Sequence, residues 1–144
     1  VPLGSVTYYF DSLDAIVRET FLRLSLVMSE RYDAAMRDAA TVEDAVEAVT
    51  DLICGGDYAS ADDLTAVFEM YAYARHDPRV ADNAREWLKR SRASLARHFS
   101  PEAARAIDGL MEAWPIHQAF ERERLDRAYV ARAIAALAAE YPRD

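Results

Sequence analysis

The chain has 144 residues, of which 52% are hydrophobic and 29% are charged, as is typical of an ordinary globular domain. Only four glycines occur among many Ala, Leu, Glu and Arg residues, a composition that favours helices over strands. The formal net charge of −8 argues against strong nucleic-acid binding by these residues alone, because cations that neutralise phosphates supply most of that affinity.

Several function classes find no support in the residue pattern. We expect no signal peptide, and no apolar stretch approaches the roughly 20 residues that span a membrane. The single cysteine, Cys54, has no partner for an internal disulfide, which favours a cytoplasmic protein. The histidines are widely spaced and no phosphate loop or nucleophile elbow is visible, so we expect no metal, no cofactor and no enzymatic activity.

The first three predicted helices occupy the N-terminal third of the chain. A short helix follows Pro2 and ends near Phe10, because proline suits the first position of a helix. A long amphipathic helix then runs from Leu13 to about Ala39, with apolar residues three and four positions apart. Thr41 caps a third helix, which the two glycines at 55 and 56 bring to an end.

Four further helices complete the predicted all-α fold. Ser60 begins a capping-box pattern for the fourth helix, whose body is apolar nearly all round and is therefore expected to be central. The turn at 76–78 separates it from a fifth helix that starts near Arg79. Ser100 caps the sixth helix, and Asp126 opens the last.

The segment from Val1 to Ile16 resembles the recognition-helix signature of the TetR family of bacterial transcriptional regulators. A small residue leads through an apolar residue to an aromatic pair, then to Phe10 and a capping turn before a long helix. The segments 68–78 and 107–110 resemble the family's central helix and the start of its dimer-forming helix. This resemblance covers nearly the whole chain.

The resemblance implies two parts, namely a remnant of the DNA-binding headpiece at residues 1–12 and a TetR-like ligand-binding and dimerisation domain at 13–144. The first part of the family's helix-turn-helix headpiece would be missing. Because the recognition helix is held in the major groove by the rest of that headpiece, we expect operator DNA to be bound by the complete protein only.

Roles at the DNA follow from the resemblance position by position. Leu3, Gly4 and Ser5 would face base edges. Thr7, Tyr8 and Tyr9 would approach phosphates. Thr7 stands where tyrosine is common, and Leu13 stands where many members have a phosphate-contacting lysine. Two other interpretations stay open, since residues 1–5 also resemble an expression-tag remnant and the aromatic residues 8–10 could pack on their own domain.

A family pocket for a small-molecule effector would lie between the long helix and the helices that follow the central one. The candidate effector residues are mainly apolar and aromatic: Met28, Tyr32, Phe68, Tyr71, Trp87, Trp114 and His117. Ordinary core packing explains such residues equally well. Pro115 either kinks its helix beside Trp114 and opens a cavity, or marks a helix that ends at Ala113 and restarts.

The last helix is rich in alanine, which permits close approach of a second helix. We expect a homodimer with a four-helix interface built from the sixth and last predicted helices: Leu110, Phe120, Val130, Ile134 and Leu137. The alternative is that the alanine-rich helix covers the core of its own subunit.

The function implied by the resemblance is a transcriptional regulator, in the usual case a repressor, whose DNA binding is relieved by a small molecule. Two alternatives come from other classes: a helical protein-interaction module, and a carrier of a small hydrophobic molecule without DNA binding. A cavity lined by Trp114 and His117 would favour the regulator, whereas a solid core with an exposed apolar groove would favour the interaction module.

Overall fold

A computed structural model describes residues 12–55 and 60–143, and every regular element in these ranges is an α-helix. The helices are α1 (Leu13–Asp38), α2 (Val42–Cys54), α3 (Ala61–Tyr73), α4 (Pro78–Leu95), α5 (Pro101–Gln118) and α6 (Arg127–Glu140). The predicted all-α fold is thus confirmed. The predicted short helix that ends near Phe10, and with it the proposed domain at 1–12, falls almost wholly outside the described residues.

Each of these helices begins at a polar side chain that accepts a hydrogen bond from a backbone N–H of the first turn. The capping residues are Ser12, Thr41, Ser60, Asp77, Ser100 and Asp126. These bonds satisfy amide groups that have no partner inside the helix, which explains why the chain changes direction at these positions. At Thr41 and Ser60, an aspartate three residues later completes a capping box.

Helix α5 contains Pro115 within its last turns and continues to Gln118. The interpretation in which the helix ends at Ala113 is therefore wrong. Proline lacks an amide hydrogen, but near a helix end this removes only one of the last intrahelical bonds, and the helix tolerates it.

Two regions of core lie along the length of α1. Helix α1 packs along α4, α2 packs on α6, and α5 contacts α2, α4 and α6. The main core joins the C-terminal half of α1 to α2, α5 and α6, with Tyr32 and Met36 as its α1 members. Two smaller clusters join α1 to α3 and α4, through Phe21 and Met28, which precede Tyr32 and Met36 along α1. Helix α1 thus contributes to both regions, as α4 does through Leu95 in the main core.

The structure places Val130 and Ile134 of α6 in the main core, both with 0% of their surface exposed within the protomer. Side chains buried in this way are not available to a second copy, so these two predicted dimer contacts are core residues instead. Alanines occupy several faces of α6, and the sequence pattern therefore did not distinguish the face that packs on α2 from the opposite face. No helix within the described ranges is long and apolar enough to cross a membrane.

We expect Met36→Ala to lower the free energy of unfolding by about 3 kcal/mol, because it removes a large side chain that is 0% exposed in the main core. Leu26→Ala, on the same helix at a position 46% exposed, should cost less than about 1 kcal/mol. Urea unfolding of both variants at one protein concentration checks this. Equal losses for the two variants would contradict the core assigned to α1.

Candidate functional site

A partly buried carboxylate, Glu112, lies where α3, α4 and α5 meet. Its Oε1 atom accepts a hydrogen bond from the Tyr71 hydroxyl at 2.6 Å and another from the Trp87 indole Nε1 at 2.9 Å. Each of the three helices contributes one of these side chains. The carboxylate is therefore held by two neutral donors from different helices.

The local sequence explains why these side chains converge. On α4, Val80, Ala84 and Trp87 follow spacings of four and three residues and form its buried face. Trp87 packs in an apolar cluster with Met28 of α1 and Val67 of α3, and Tyr71 lies against that cluster. Glu112 thus lies beside an apolar region, where an indole N–H and a phenol O–H need acceptors.

Burial has the largest effect on the pKa values of Glu112 and Tyr71. It raises the pKa of Glu112 above its ordinary value, and the hydrogen bonds from Tyr71 and Trp87 only partly offset this effect. Burial and the bond to Glu112 also raise the pKa of the Tyr71 hydroxyl. Tyr71 therefore remains a hydrogen-bond donor throughout the physiological pH range.

A second carboxylate lies one helical turn away on α5. Asp108 is 3% exposed, and it accepts hydrogen bonds from the Ser91 hydroxyl and, at 3.0 Å, from Nε of Arg92. Asp108 raises the pKa of Glu112, whereas Arg92 lowers it. Because Arg92 is bonded to Asp108, the carboxylate of Glu112 is left with the neutral donors and is suited to a ligand that carries a hydrogen-bond donor or a positive charge.

The structure brings together three of the predicted effector residues and separates the other four. Met28, Tyr71 and Trp87 meet beside Glu112. Tyr32 lies in the main core, where its hydroxyl is 2.9 Å from the sulfur of Met111. Phe68, by contrast, is 44% exposed on α3.

The two remaining predicted residues lie on the C-terminal part of α5. The Trp114 ring contacts Tyr129 of α6, with 5.9 Å between ring centroids, and His117 is exposed. An exposed imidazole and a tryptophan that packs on a neighbouring helix do not enclose a cavity between them. The expected pocket beside Pro115 is therefore not formed by these two side chains.

Sequence reasoning missed Glu112, although two signals pointed to it. Asp108 and Glu112 are four residues apart and so share one side of a helix that otherwise buries apolar residues. In addition, a buried tryptophan on a neighbouring helix requires an acceptor for its N–H.

Two polar contacts fix the beginning of α1 to the α3–α4 turn. Arg18 donates from Nε to Asp77 at 2.6 Å, and the Tyr73 hydroxyl donates to Asp14 at 2.8 Å. Asp77 also caps α4 through the backbone N–H groups of Arg79 and Val80. Although burial raises the pKa of Asp77, its bonds with Arg18 and these amides hold it below the ordinary value. Asp77 therefore remains ionised at neutral pH and keeps its ion pair with Arg18 of α1.

The predicted DNA-contacting residues, Leu3 to Tyr9, lie outside the described residues. The remaining predicted dimer residues differ in exposure: Phe120 is 86% exposed, whereas Leu110 and Leu137 are half-buried against the main core. Gly109 is exposed on α5, and a side chain added there would meet no atom of the described residues within 4 Å. Within the described ranges, no group of three or more His, Cys, Asp or Glu residues could hold a metal ion.

Comparison with known proteins identifies a structural relative. No protein-family model and no curated protein sequence matches the chain. The chain is similar to a solved structure, that of the putative transcriptional regulator SCO7518 from Streptomyces coelicolor A3(2), with 37% sequence identity and a TM-score of 0.81. The alignment covers 95% of this chain and 79% of that one.

The substitution Glu112→Gln should stabilise the protein at neutral pH and lose this effect in acid. The amide oxygen of glutamine can still accept from Tyr71 and Trp87, but the buried charge is gone. Because the folded-state pKa of Glu112 is raised, the wild type is favoured by protonation below the ordinary value of 4.5 and loses that stability as the pH rises through the folded-state pKa.

Urea unfolding between pH 4 and pH 8 measures this difference, with Glu69→Gln as a control at an exposed position on α3. A Glu112→Gln variant that is less stable than the wild type at pH 8 would contradict the account of this site.

Proposed function

The chain belongs to the same family as the Streptomyces transcriptional regulator, and we propose on this basis that it is a TetR-type repressor. In this proposal its binding to operator DNA is relieved by a small molecule that binds in the helical domain. The family relationship supports the role in transcription, and the residue pattern at 1–16 supports the TetR type. We further propose that the protein is not an enzyme, needs no cofactor and acts in the cytoplasm.

The hydrogen-bonded cluster around Glu112 is the observation that carries the effector part of the proposal. A partly buried carboxylate beside Met28 and Trp87, with only neutral side chains donating to it, gains most from a ligand that supplies a donor or a cation. Aromatic and apolar neighbours fit a flat, partly apolar molecule. We therefore propose an effector with an amine or another cationic or donor group next to an aromatic or apolar body.

Helix α1 supplies the proposed connection between the effector and DNA. It leads from the N-terminal region to the site, where Met28 packs against Trp87. Near its beginning, the bond from Arg18 to Asp77 joins it to the turn between α3 and α4. An effector that moves Tyr71 or Trp87 would therefore change the packing of α1, and a coupling free energy of about 1–3 kcal/mol is typical between two such sites.

A second candidate function rests on an apolar groove between α2 and α6. The groove has a volume of about 660 Å³, and four alanines of α6 line it together with Val42, Val46 and Phe99, while charged residues also contribute to its wall: Glu43, Glu47, Arg132 and Arg143. An exposed apolar groove of this kind favours the alternative in which the protein binds another protein or carries a small hydrophobic molecule. The family relationship makes this the weaker candidate.

The repressor proposal is tested with the full-length gene product and DNA from its own upstream region. We expect a mobility shift that weakens steeply as the salt concentration rises, because phosphate contacts dominate the affinity. Amines and cationic aromatic compounds are then screened by thermal unfolding. An effector should raise the melting temperature of the wild type and of Glu69→Gln but not that of Glu112→Gln, and it should release the DNA.

The DNA-binding role and the effector site can be contradicted by different results. Absence of a shift at low salt would contradict the DNA-binding role and favour the groove-based alternative. A compound that releases the DNA and stabilises Glu112→Gln as strongly as the wild type would leave the repressor intact but contradict the effector site.

We also propose a homodimer formed through α5 and α6. A glycine within a helix makes it less stable than alanine would by roughly 0.5–1 kcal/mol, and no atom of residues 12–55 or 60–143 approaches the position of the missing Gly109 side chain. Phe120, which follows the end of α5 and has 86% of its surface exposed, and Tyr129 of α6, with 50% exposed, offer apolar area nearby. Close approach of a second copy would account for both observations.

The substitution Gly109→Arg should convert the dimer to a protomer of 16.2 kDa without unfolding it, since the added side chain points into open space. Light scattering after gel filtration measures the mass, and circular dichroism measures the helix content. Ala72→Arg, at an exposed position on α3, is the matched control and should leave the dimer unchanged. A wild-type chain with the mass of one protomer would contradict the dimer.

A further inference from the structure

The facing sides of α4 and α5 bring two carboxylates and one arginine close together. Asp108 and Glu112 lie four residues apart on α5 and so share one side of that helix. On α4, the Ser91 hydroxyl donates to Asp108. The Trp87 indole, one turn earlier on α4, donates to Glu112 at 2.9 Å. Arg92 directly follows Ser91, and its guanidinium lies beside the same two carboxylates.

Arg92 pairs with only one of these carboxylates. Its Nε atom donates to Asp108 at 3.0 Å, and no ion pair joins it to Glu112 among the described residues. Its charge nevertheless lowers the pKa of Glu112, so the guanidinium lies near enough to act on both groups. The two carboxylates therefore compete for this cation.

Burial explains why the arginine is bound to Asp108. Asp108 is 3% exposed, and a carboxylate this deeply buried is costly unless a charged partner compensates it. Glu112 is less buried and already accepts from Tyr71 and Trp87. The ion pair with Arg92 thus forms where the loss of solvation is greatest.

The Arg92 side chain has room to change its partner. It is 38% exposed, so packing does not fix its rotamer on every side. With a helical rise of about 1.5 Å per residue, Asp108 and Glu112 are separated by about 6 Å along the axis of α5. A guanidinium on its flexible stem spans that distance without movement of the backbone.

We propose that Arg92 is an internal competitor of the effector, and that Asp108 is the positioning residue that keeps it away from Glu112. While Asp108 holds the guanidinium, these three side chains have one negative charge in excess, and Glu112 can accept a cation from outside. When Asp108 is neutralised, Arg92 turns to Glu112 and occupies the site itself. The competition is a property of the α4–α5 contact, whereas its meaning for an effector rests on the proposed function.

NMR titration of the Glu112 carboxyl in the carbon-13-labelled full chain tests this with Asp108→Asn, Arg92→Gln and the double variant. Asparagine keeps the shape of the aspartate side chain and an acceptor for Ser91. In Asp108→Asn, we expect the pKa of Glu112 to fall by about 1 pH unit or more, because a negative neighbour is lost and an arginine is gained. Arg92→Gln should then raise this pKa by about 1 pH unit more than it does with Asp108 present.

The larger effect of Arg92→Gln is the decisive result, because the loss of the Asp108 charge alone does not produce it. An arginine that stays in place would act on Glu112 equally in both backgrounds. Arg85→Gln, at an exposed position of α4, is the matched control and should leave the pKa of Glu112 unchanged in both. The indole N–H signal of Trp87 should shift in Asp108→Asn, since it bonds to the carboxylate that Arg92 joins.

Two outcomes would overturn the proposal. One is an effect of Arg92→Gln that is equal with and without Asp108. The other is an Asp108→Asn variant in which the pKa of Glu112 does not fall. If Asp108→Asn folds poorly, Arg92→Gln alone decides: a rise of about 1 pH unit or more would mean that Arg92 already pairs with Glu112 and would overturn the proposal, whereas a smaller rise supports it.

These titrations need no effector, so their result is independent of the effector screen. If Arg92 moves as expected but no cation binds, only the proposed effector site is contradicted. If a cation binds at Glu112 but the titrations show no movement of Arg92, the effector site stands and the competition is overturned.

Discussion

The arrangement of the helices around Glu112 depends on one constraint, which is that a partly buried carboxylate must be hydrogen-bonded. Removing this group even partly from water is unfavourable unless donors lie against it, and Tyr71 and Trp87 supply them from two other helices. These bonds connect α3, α4 and α5 at one point, and Met28 brings α1 against the same cluster. A cluster that joins four helices is where a bound molecule has most influence on their packing.

Helix α1 contributes side chains to both regions of core, as α4 does. On α1, Tyr32 and Met36 lie in the main core, and Phe21 and Met28, which precede them, lie in the smaller clusters. The bond from Arg18 to Asp77 joins its beginning to the same turn that caps α4. A repressor of the proposed kind needs a rigid helix between its DNA-binding and effector-binding parts, and α1 has the length and the contacts for that role.

Local sequence patterns were sufficient to predict the helices and several of their capping residues. Capping side chains and three- to four-residue spacing act within one or two turns, so residues such as Thr41 and Ser60 reveal helix boundaries directly. The faces of α6 were not predictable, because alanines surround Val130 and Ile134 and make several sides apolar. These two residues pack within the protomer, where the sequence had suggested a contact with a second copy.

The site itself was predicted only in part. Met28, Tyr71 and Trp87 could be proposed from their chemistry. The bonds to Glu112, however, join residues 25 and 41 positions apart in the sequence, and a local sequence pattern covers only a few helical turns. Periodicity predicts which side of a helix is buried, whereas the partners on other helices follow from the tertiary structure.

The most direct measurement is the titration of Glu112 itself, followed by NMR of the side-chain carboxyl carbon in protein labelled with carbon-13. The assignment comes from the signal that is missing in Glu112→Gln. The account predicts a pKa above the ordinary glutamate value of 4.5, with the indole N–H signal of Trp87 shifting in the same pH range. A pKa at or below the ordinary value, with no change at Trp87, would contradict a partly buried carboxylate held by neutral donors.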